Sequence, residues 1–105
     1  MSMSLEKAIS MAVKTGKVLF GAKSAIRSAK LRKAKLIVIS ENCPREIRED
    51  LERYCSLSRI PLIVYKGTNV DLGLVCGKPF AISTLTIRDP GRSPILKMVE
   101  ENEGS

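Results

Sequence analysis

One segment of the chain carries residue types that suit contact with a polyanion. From position 7 to position 40 it holds nine basic residues and no aspartate or glutamate: Lys7, Lys14, Lys17, Lys23, Arg27, Lys30, Arg32, Lys33 and Lys35. A charge run is usually a solvated face, but such a face mixes both signs, as residues 45–53 do. Positive charge of one sign attracts phosphate groups and gains from the release of their counterions. The segment therefore favours nucleic acid as the partner.

Within this segment, Gly21 ends a predicted strand, and Lys23 and Ser24 open a predicted helix. A helix N-terminus presents unpaired N–H groups and a positive dipole end, and glycine lets a phosphate backbone or base edge approach closely. Lys23 adds a mobile charge and Ser24 a hydroxyl. Glycine also simply ends strands, so the tetrapeptide alone leaves both interpretations open. The spacing of a P-loop is absent.

Two further side chains have the chemistry to read bases. Asn42, after the second predicted strand, can donate to and accept from a base edge, although capping of the helix that follows explains it equally well. Phe80 is one of four aromatic residues. It could stack on an unpaired base, but a phenylalanine at the start of a strand usually belongs to the core. Both residues remain open at this point.

No constellation for catalysis is visible in the sequence. Cys43 lies near a predicted helix N-terminus, which lowers a thiol pKa, but the chain has no histidine to act as its base. The three cysteines are too widely spaced to indicate a disulfide framework or a zinc site. The acidic residues at 46–52 alternate with arginines in the ordinary surface pattern of a helix. We expect no enzyme, no cofactor and no metal.

Composition sets the remaining limits. The chain of 105 residues has a formal net charge of +7, a pI near 9.6 and 44% hydrophobic residues, which fits a single globular domain over residues 1–105. No window approaches the roughly 18 apolar residues of a membrane span. We expect a cytoplasmic protein that is monomeric when free and that has neither a membrane partner nor a small-molecule substrate.

Strands and helices alternate along the chain. The apolar spacing predicts helices at residues 5–15, 22 to about 31, from Pro44 onward, 69–76, and from Ser93-Pro94 to about 100. Ser4 is the expected N-cap of the first helix, and Thr68 with Asp71 resembles a capping box on the fourth. It predicts strands at 18–20, 36–39, 60–65 and 80–87, with the second and third buried. The acidic tail at 101–105 is expected to fray.

This alternation predicts an α/β domain with a largely parallel sheet between helical layers. Loops that follow successive parallel strands emerge at the same edge of a sheet, where ligands usually bind. Residues 21–24, 41–44 and 67–69 should therefore be neighbours in space. That edge is the candidate site.

A set of short motifs along nearly the whole chain resembles a known family. The motifs are Thr15-Gly16-Lys17-Val18, Gly21-Ala22-Lys23-Ser24, Ala34-Lys35-Leu36-Ile37-Val38, Ile60-Pro61, Gly67-Thr68, Leu72-Gly73 and Gly77-Lys78-Pro79. In combination they resemble large-subunit ribosomal protein thirty of the archaeal and eukaryotic "e" type. That family belongs to the superfamily of kink-turn-binding ribosomal proteins.

The resemblance implies a three-layer α/β/α sandwich around a four-stranded mixed sheet. It also implies a non-catalytic ribonucleoprotein component that binds ribosomal RNA in the large subunit, beside neighbouring ribosomal components. In the family, RNA contacts come from the start of the second helix, the loop after the second strand and the loop before the last strand. The matching positions are Gly21, Lys23 and Ser24, then Asn42, then Phe80, Ala81 and Ile82. Arg27 and Lys30, on the same helix face as Lys23, complete the candidate site, and with residues 33–35 they are expected to supply the field around it.

One departure from the superfamily distinguishes between its branches. Lys23-Ser24 stands where general kink-turn binders of guide-RNA particles have an Asn-Glu pair, so the ribosomal branch fits better. A stand-alone kink-turn protein of a guide-RNA particle or a regulatory role is the alternative. A protein-interaction module of the same fold is more remote, because its known examples are acidic. The short chain without basic extensions favours an archaeal origin.

Overall fold

The computed structural model describes residues 3–103, with side chains through residue 100. The helices are α1 (Leu5–Thr15), α2 (Ala22–Lys30), α3 (Arg45–Ser58), α4 (Asn69–Val75) and α5 (Ile95–Glu103). The strands are β1 (Lys17–Phe20), β2 (Leu36–Ser40), β3 (Leu62–Tyr65) and β4 (Thr84–Asp89). No helix in this part of the chain is both long and apolar enough to span a membrane.

The four strands form one mixed sheet in the order β1-β4-β2-β3. β2 and β3 are parallel, whereas β4 is antiparallel to both of its neighbours. The mixed sheet implied by the family resemblance is confirmed, and the largely parallel sheet predicted from the alternation is wrong. The reason is the short α4, after which the chain returns to the start of that helix, where the Ile82 N–H donates to the Asn69 carbonyl at 2.9 Å. β4 therefore begins where β3 ends and runs in the opposite direction.

Helices cover both faces of the sheet, as the three-layer prediction requires. α1, α4 and α5 pack on one face, around core residues such as Ile9, Leu72 and Ile95, and α2 and α3 pack on the other. The position of β2 between the two helical layers explains why its sequence is a continuous apolar run. Its alternate side chains belong to the two different cores, and all of them are fully buried. The prediction that β2 is covered on both faces is confirmed.

The last two strands differ from their predicted bounds. β3 begins at Leu62 and is an outer strand with one neighbour only. It is therefore only partly buried, with Val64 37% exposed, and the prediction that this strand is buried is wrong. β4 begins at Thr84, because the backbone at Ile82 is hydrogen-bonded to the start of α4 and does not join the ladder. Residues 80–83 therefore form a loop and not the start of a strand.

The predicted helix ends are mostly correct. The Ser4 hydroxyl accepts a hydrogen bond from the Lys7 N–H at 3.2 Å and caps α1, and Thr68 and Asp71 form a capping box on α4. Pro44 precedes α3 as its N-cap instead of occupying the first helical position. α5 continues to Glu103, past the expected end near residue 100. The rest of the tail that was expected to fray lies outside the described residues.

Candidate nucleic-acid interface

The three predicted loops meet at one edge of the sheet, together with the loop that precedes β4. The backbone hydrogen bonds that join them run from Gly21 N–H to Thr84 C=O (3.0 Å), from Ser40 N–H to Ser83 C=O (3.0 Å) and from Glu41 N–H to Gly67 C=O (2.9 Å). Residues 21–24, 41–44, 67–69 and 80–83 constitute what we term the loop edge. The prediction that the first three loops are spatial neighbours is confirmed.

The N-terminus of α2 is an open part of the loop edge. Gly21 has φ +104°, a conformation that favours glycine, and a Cβ added there would meet no atom within 4 Å. Conformation, not crowding, therefore calls for glycine at this position. No side chain caps α2, although side chains cap α1 and α4. The first-turn N–H groups and the positive dipole end of α2 are thus available to an anion.

Lys23 and Ser24 face different sides of α2. Lys23 is exposed and lines a shallow groove with Ile26, Arg27, Lys30 and Leu31. Ser24 is half-buried and lines a second groove, which passes beside β1. Arg27 lines both grooves and so lies between them. The first turn of α2 therefore presents polar groups in two directions.

Lys30 does not lie at the loop edge. It is the last residue of α2, about 12 Å along the helix axis from Ala22 at a rise of about 1.5 Å per residue. Its ammonium nitrogen lies 4.8 Å from the ring centroid of Tyr54 on α3, a favourable cation–π contact. Lys30 thus helps to join α2 to α3, and Lys23 is the basic residue of α2 closest to the edge.

The Asn42 side chain connects the loop after β2 to the start of α4. Its Oδ1 accepts hydrogen bonds from the Ser40 hydroxyl (2.9 Å) and the Asn69 N–H (2.8 Å), and its Nδ2 donates to Asn69 Oδ1 (3.0 Å). It does not cap α3, which follows Pro44 without a side-chain cap, so the capping interpretation is wrong. Asn42 is still exposed, and the second hydrogen of Nδ2 has no partner among the described residues.

Asn69 lies in the predicted loop at 67–69, but the sequence reasoning did not single out its side chain. It accepts from the Asn42 amide through its side chain and from the Ile82 N–H through its carbonyl at 2.9 Å. It therefore connects the loop after β2, the start of α4 and the loop before β4. The available signal was its amide side chain, placed after a strand in the same way as Asn42.

The loop before β4 presents an aromatic ring to solvent. Phe80 is 53% exposed and packs edge-to-face against Phe20, with ring centroids 6.3 Å apart and an interplanar angle of 86°. The interpretation of Phe80 as a core residue is therefore wrong. Ala81 is also exposed, but Ile82 is only 3% exposed and belongs to the core. Ile82 anchors the loop and does not offer its side chain to a partner.

A glycine in α4 makes room for this loop. A Cβ added to Gly73 would collide with the carbonyl of Phe80, although Gly73 itself is in an ordinary helix. The Phe80 loop therefore packs directly on the backbone of α4. This contact and the Asn69 hydrogen bond hold the backbone of the loop in place, and the Phe80 ring packs against Phe20.

The cations of α2 differ from those of α3 in having no acidic partner in the described part of the chain. The ion pairs formed by the described side chains all lie on α3: Arg45 with Glu49, Arg48 with Glu52 and Arg53 with Asp50. The cations of α2 have no carboxylate partner among the described side chains. Residues 33–35, expected to add to this field, lie at the start of β2 and thus at the opposite edge of the sheet. Glu41 lies within the loop edge, Glu46 and Asp71 lie next to it, and Asp71 is engaged in the α4 cap.

The cysteines do not add chemistry to the site. Burial raises the pKa of the Cys43 thiol, and the weaker opposing effects of a Thr84 hydrogen bond and the Arg48 charge do not reverse this. The expectation of a lowered pKa near a helix N-terminus is therefore wrong for Cys43. Burial also raises the pKa values of Cys55 and Cys76 to about 11. Across the described residues, no three His, Cys, Asp or Glu side chains cluster as metal ligands would.

Comparison with known proteins gives consistent matches over almost the whole chain. Residues 3–97 match the model of the Ribosomal protein L7Ae/L30e/S12e/Gadd45 family. The "Large ribosomal subunit protein eL30" of Methanothermobacter thermautotrophicus is 50% identical over 97 residues, which cover 92% of this chain and 99% of that protein. The protein of the same name from Methanocaldococcus jannaschii is 44% identical over 103 residues, which cover 98% of this chain and 94% of that one.

A solved structure supports the fold independently. A protein of unknown function from Bacillus halodurans superimposes with a TM-score of 0.77 at 19% sequence identity. The match covers 91% of this chain and 95% of the other. At this identity the likeness concerns the fold alone.

Proposed function

The chain belongs to the ribosomal protein L7Ae/L30e/S12e/Gadd45 family, as its motifs indicated, and we propose that it is a structural constituent of the large ribosomal subunit. We infer that in this role it binds a kink-turn-like internal loop of ribosomal RNA. The observation that carries the proposal is the loop edge. It brings together an open helix N-terminus, an amide pair and an exposed aromatic ring, and hydrogen bonds link its loops. Relatives named as large-subunit proteins support the ribosomal assignment.

An internal loop of RNA offers chemistry that matches these three groups. Its backbone supplies phosphates, which suit the open N–H groups of α2 and the ammonium of Lys23. Its unpaired bases can leave the stack, and Phe80 can then stack on one of them. The free hydrogen of the Asn42 amide can reach a base edge, as hydrogen-bonded readout requires.

The geometry also supports recognition by a surface formed before binding. Asn42 and Asn69 hold two loops together, and Gly73 lets the Phe80 loop rest on α4. A surface that is already ordered loses little conformational entropy on binding. A sharply bent internal loop would therefore be selected by its shape.

The proposed division of roles separates affinity from specificity. The α2 turn, with Gly21, Lys23, Ser24 and Arg27, would contact the phosphate backbone, and Asn42 with Phe80 would read the loop. Phosphate contacts position a protein on nucleic acid, whereas base contacts specify the sequence. The role is structural and not enzymatic, the protein would reside on cytoplasmic ribosomes, and it would be monomeric before assembly.

A direct binding comparison tests the proposal. A labelled ribosomal RNA with a kink-turn internal loop and a plain duplex of equal length are titrated with the protein at physiological salt. The internal-loop RNA should bind at least about tenfold more tightly, since the duplex lacks unpaired bases to stack and read. Equal affinities would contradict loop recognition and leave only charge attraction.

Cellular fractionation separates the ribosomal role from that of a stand-alone kink-turn binder. The protein should co-sediment with large subunits and stay there under salt conditions that remove loosely held factors. Recovery in small particles that contain guide RNA would instead support the alternative. The Lys23-Ser24 pair at the start of α2 favours the ribosomal outcome.

A further inference from the structure

A second group of cations lies at the edge of the sheet opposite the loop edge. β1 and β2 begin at this edge and β4 ends there, because β4 runs against the other strands. A surface groove at this edge is lined by basic side chains, all of them exposed: Lys17, Arg32, Lys33, Lys35 and Arg88. We term these residues the basic groove.

Regular structure holds the basic groove in place. Lys17 lies opposite Asp89 in the antiparallel strand pairing of β1 with β4. The Lys33 N–H donates to the Ser28 carbonyl at the end of α2 (2.9 Å), and the Lys35 N–H donates to the Ile87 carbonyl on β4 (2.8 Å). The cations therefore stand on strands and on a tightly bonded turn. The spacing of their backbone positions is set before any partner arrives.

The described side chains leave most of the charge of the basic groove unbalanced. Asp89 is the acidic residue among those that line it, and its Oδ1 accepts a hydrogen bond from the Gly91 N–H at 2.9 Å. None of the cations of the groove forms an ion pair with a described side chain, since those pairs all lie on α3. A polyanion is the partner that complements such a surface.

The basic groove is continuous with the loop edge. The groove beside β1 that begins at Ser24 also contains Leu19, Arg27, Lys33 and Arg88. Lys33 and Arg88 line both this groove and the one at the opposite edge. A positively charged path thus follows the length of β1, about 13 Å at roughly 3.3 Å per residue.

We propose that the basic groove binds the sugar–phosphate backbone of the RNA stem that flanks the internal loop. The proposal rests on the proposed function, because it needs the loop edge to hold that internal loop. The groove has no aromatic or amide side chain among its lining residues, so its contacts would be to phosphates and independent of sequence. Continuity with the loop edge favours the flanking stem over a separate RNA.

Two RNAs and two matched variants test this proposal. Both RNAs carry the same internal loop, and the adjoining stem is either a full helical turn long or trimmed to its loop-proximal pairs. The Lys33→Ala/Arg88→Ala variant removes two groove cations. The Lys7→Ala/Lys97→Ala variant removes the same charge from exposed positions on α1 and α5, across the sheet. Circular dichroism confirms that each variant is folded.

The expected result depends on both the stem and the variant. On the long-stem RNA the groove variant should bind about tenfold more weakly, and its salt slope should be smaller by about 1.5, as for the loss of two phosphate contacts. On the short-stem RNA it should bind within about threefold of the wild type, because only long-range attraction is lost there. The control variant should bind both RNAs within about threefold of the wild type, because only long-range attraction changes.

The following outcomes would overturn the proposal. One is an equal loss on both RNAs, and another is an equal loss for both variants. Hydroxyl-radical footprinting of the wild-type complex gives a measurement that needs no variant, and an unprotected stem in the long RNA would also overturn the proposal. Failure of the proposed function is a different result, in which the wild type binds internal-loop RNA no better than plain duplex.

Discussion

α2 and α3 pack side by side on the same face of the sheet, and both carry cations outward, yet their electrostatics differ. On α3 each arginine pairs with an acid three or four residues away along the helix. On α2 the exposed residues Lys23 and Arg27 have no acid on their own helix and no carboxylate partner among the described side chains. The first turn of α3 contains Glu46, whereas that of α2 contains no acid. The pairing of the cations, and not their number, therefore separates the proposed binding surface on α2 from the ordinary charged face of α3.

Reversal of charge should give the largest difference in RNA affinity between variants of α2 and variants of α3. Lys23→Glu/Arg27→Glu on α2 should weaken binding to the internal-loop RNA by about 100-fold or more, because like charges then face the phosphates. Arg45→Glu/Arg48→Glu on α3 changes the net charge by the same amount and should cost less than about tenfold. Fluorescence anisotropy at fixed salt measures both. Equal losses would mean that total charge alone drives binding.

Removal of a single charge should give a smaller effect with a clearer signature. Lys23→Ala should weaken binding about tenfold and lower the salt slope by about 0.7 to 0.9, since one phosphate contact no longer releases a counterion. Arg48→Ala, its counterpart on α3, should leave the slope unchanged. Titrations at several salt concentrations provide the slopes. An unchanged slope for the Lys23 variant would show that this residue is not a phosphate contact.

The contribution of Asn42, an uncharged residue of the loop edge, to RNA binding should be smaller still. Asn42→Ala should reduce the discrimination between loop sequences about fivefold. It should also lower the free energy of unfolding by about 1 kcal/mol, because the Asn69 N–H loses its acceptor. Ser40→Ala, which keeps the Asn42 amide, is the control. Reduced stability with unchanged discrimination would limit Asn42 to a structural role.

The smallest effect is expected from the ion pairs of α3. Glu49→Ala removes the partner of Arg45 and should lower the free energy of unfolding by about 0.3 to 0.5 kcal/mol, as for exposed pairs on a helix. RNA affinity should change less than about twofold. Urea unfolding and anisotropy measure the two quantities. A salt slope that rises by about one would show that Arg45 reaches the RNA once it is released from its partner.

Patterns among residues close in sequence were enough to predict a buried strand and two helix caps. The apolar run at 36–39 predicted a strand buried on both faces, and Ser4 and Thr68 predicted helix caps, all of which are confirmed. The alternation of strands and helices also predicted correctly that three loops meet at one edge of the sheet. These predictions depend only on neighbouring residues and on the handedness of connections.

Contacts between distant residues determined what the sequence did not predict. β4 begins late because Ile82 is hydrogen-bonded to Asn69, and Asn42 bonds to the same residue, 27 positions away. Lys30 turns to Tyr54 on a different helix. None of these partners is marked by spacing along the chain. The roles of Asn69 and Lys30 therefore became visible only in the folded molecule.

The uncapped first turn of α2 has a consequence for the free protein. Amides without acceptors at a helix end exchange with solvent and fray more readily than those of a capped helix. On the proposed function, a phosphate of the RNA would accept hydrogen bonds from these amides and act as the missing cap. By linkage, the stability of α2 would then rise with the concentration of its RNA. Ribosomal RNA would complete the secondary structure of its own binding protein, and slowed amide exchange at residues 22–24 would report their assembly.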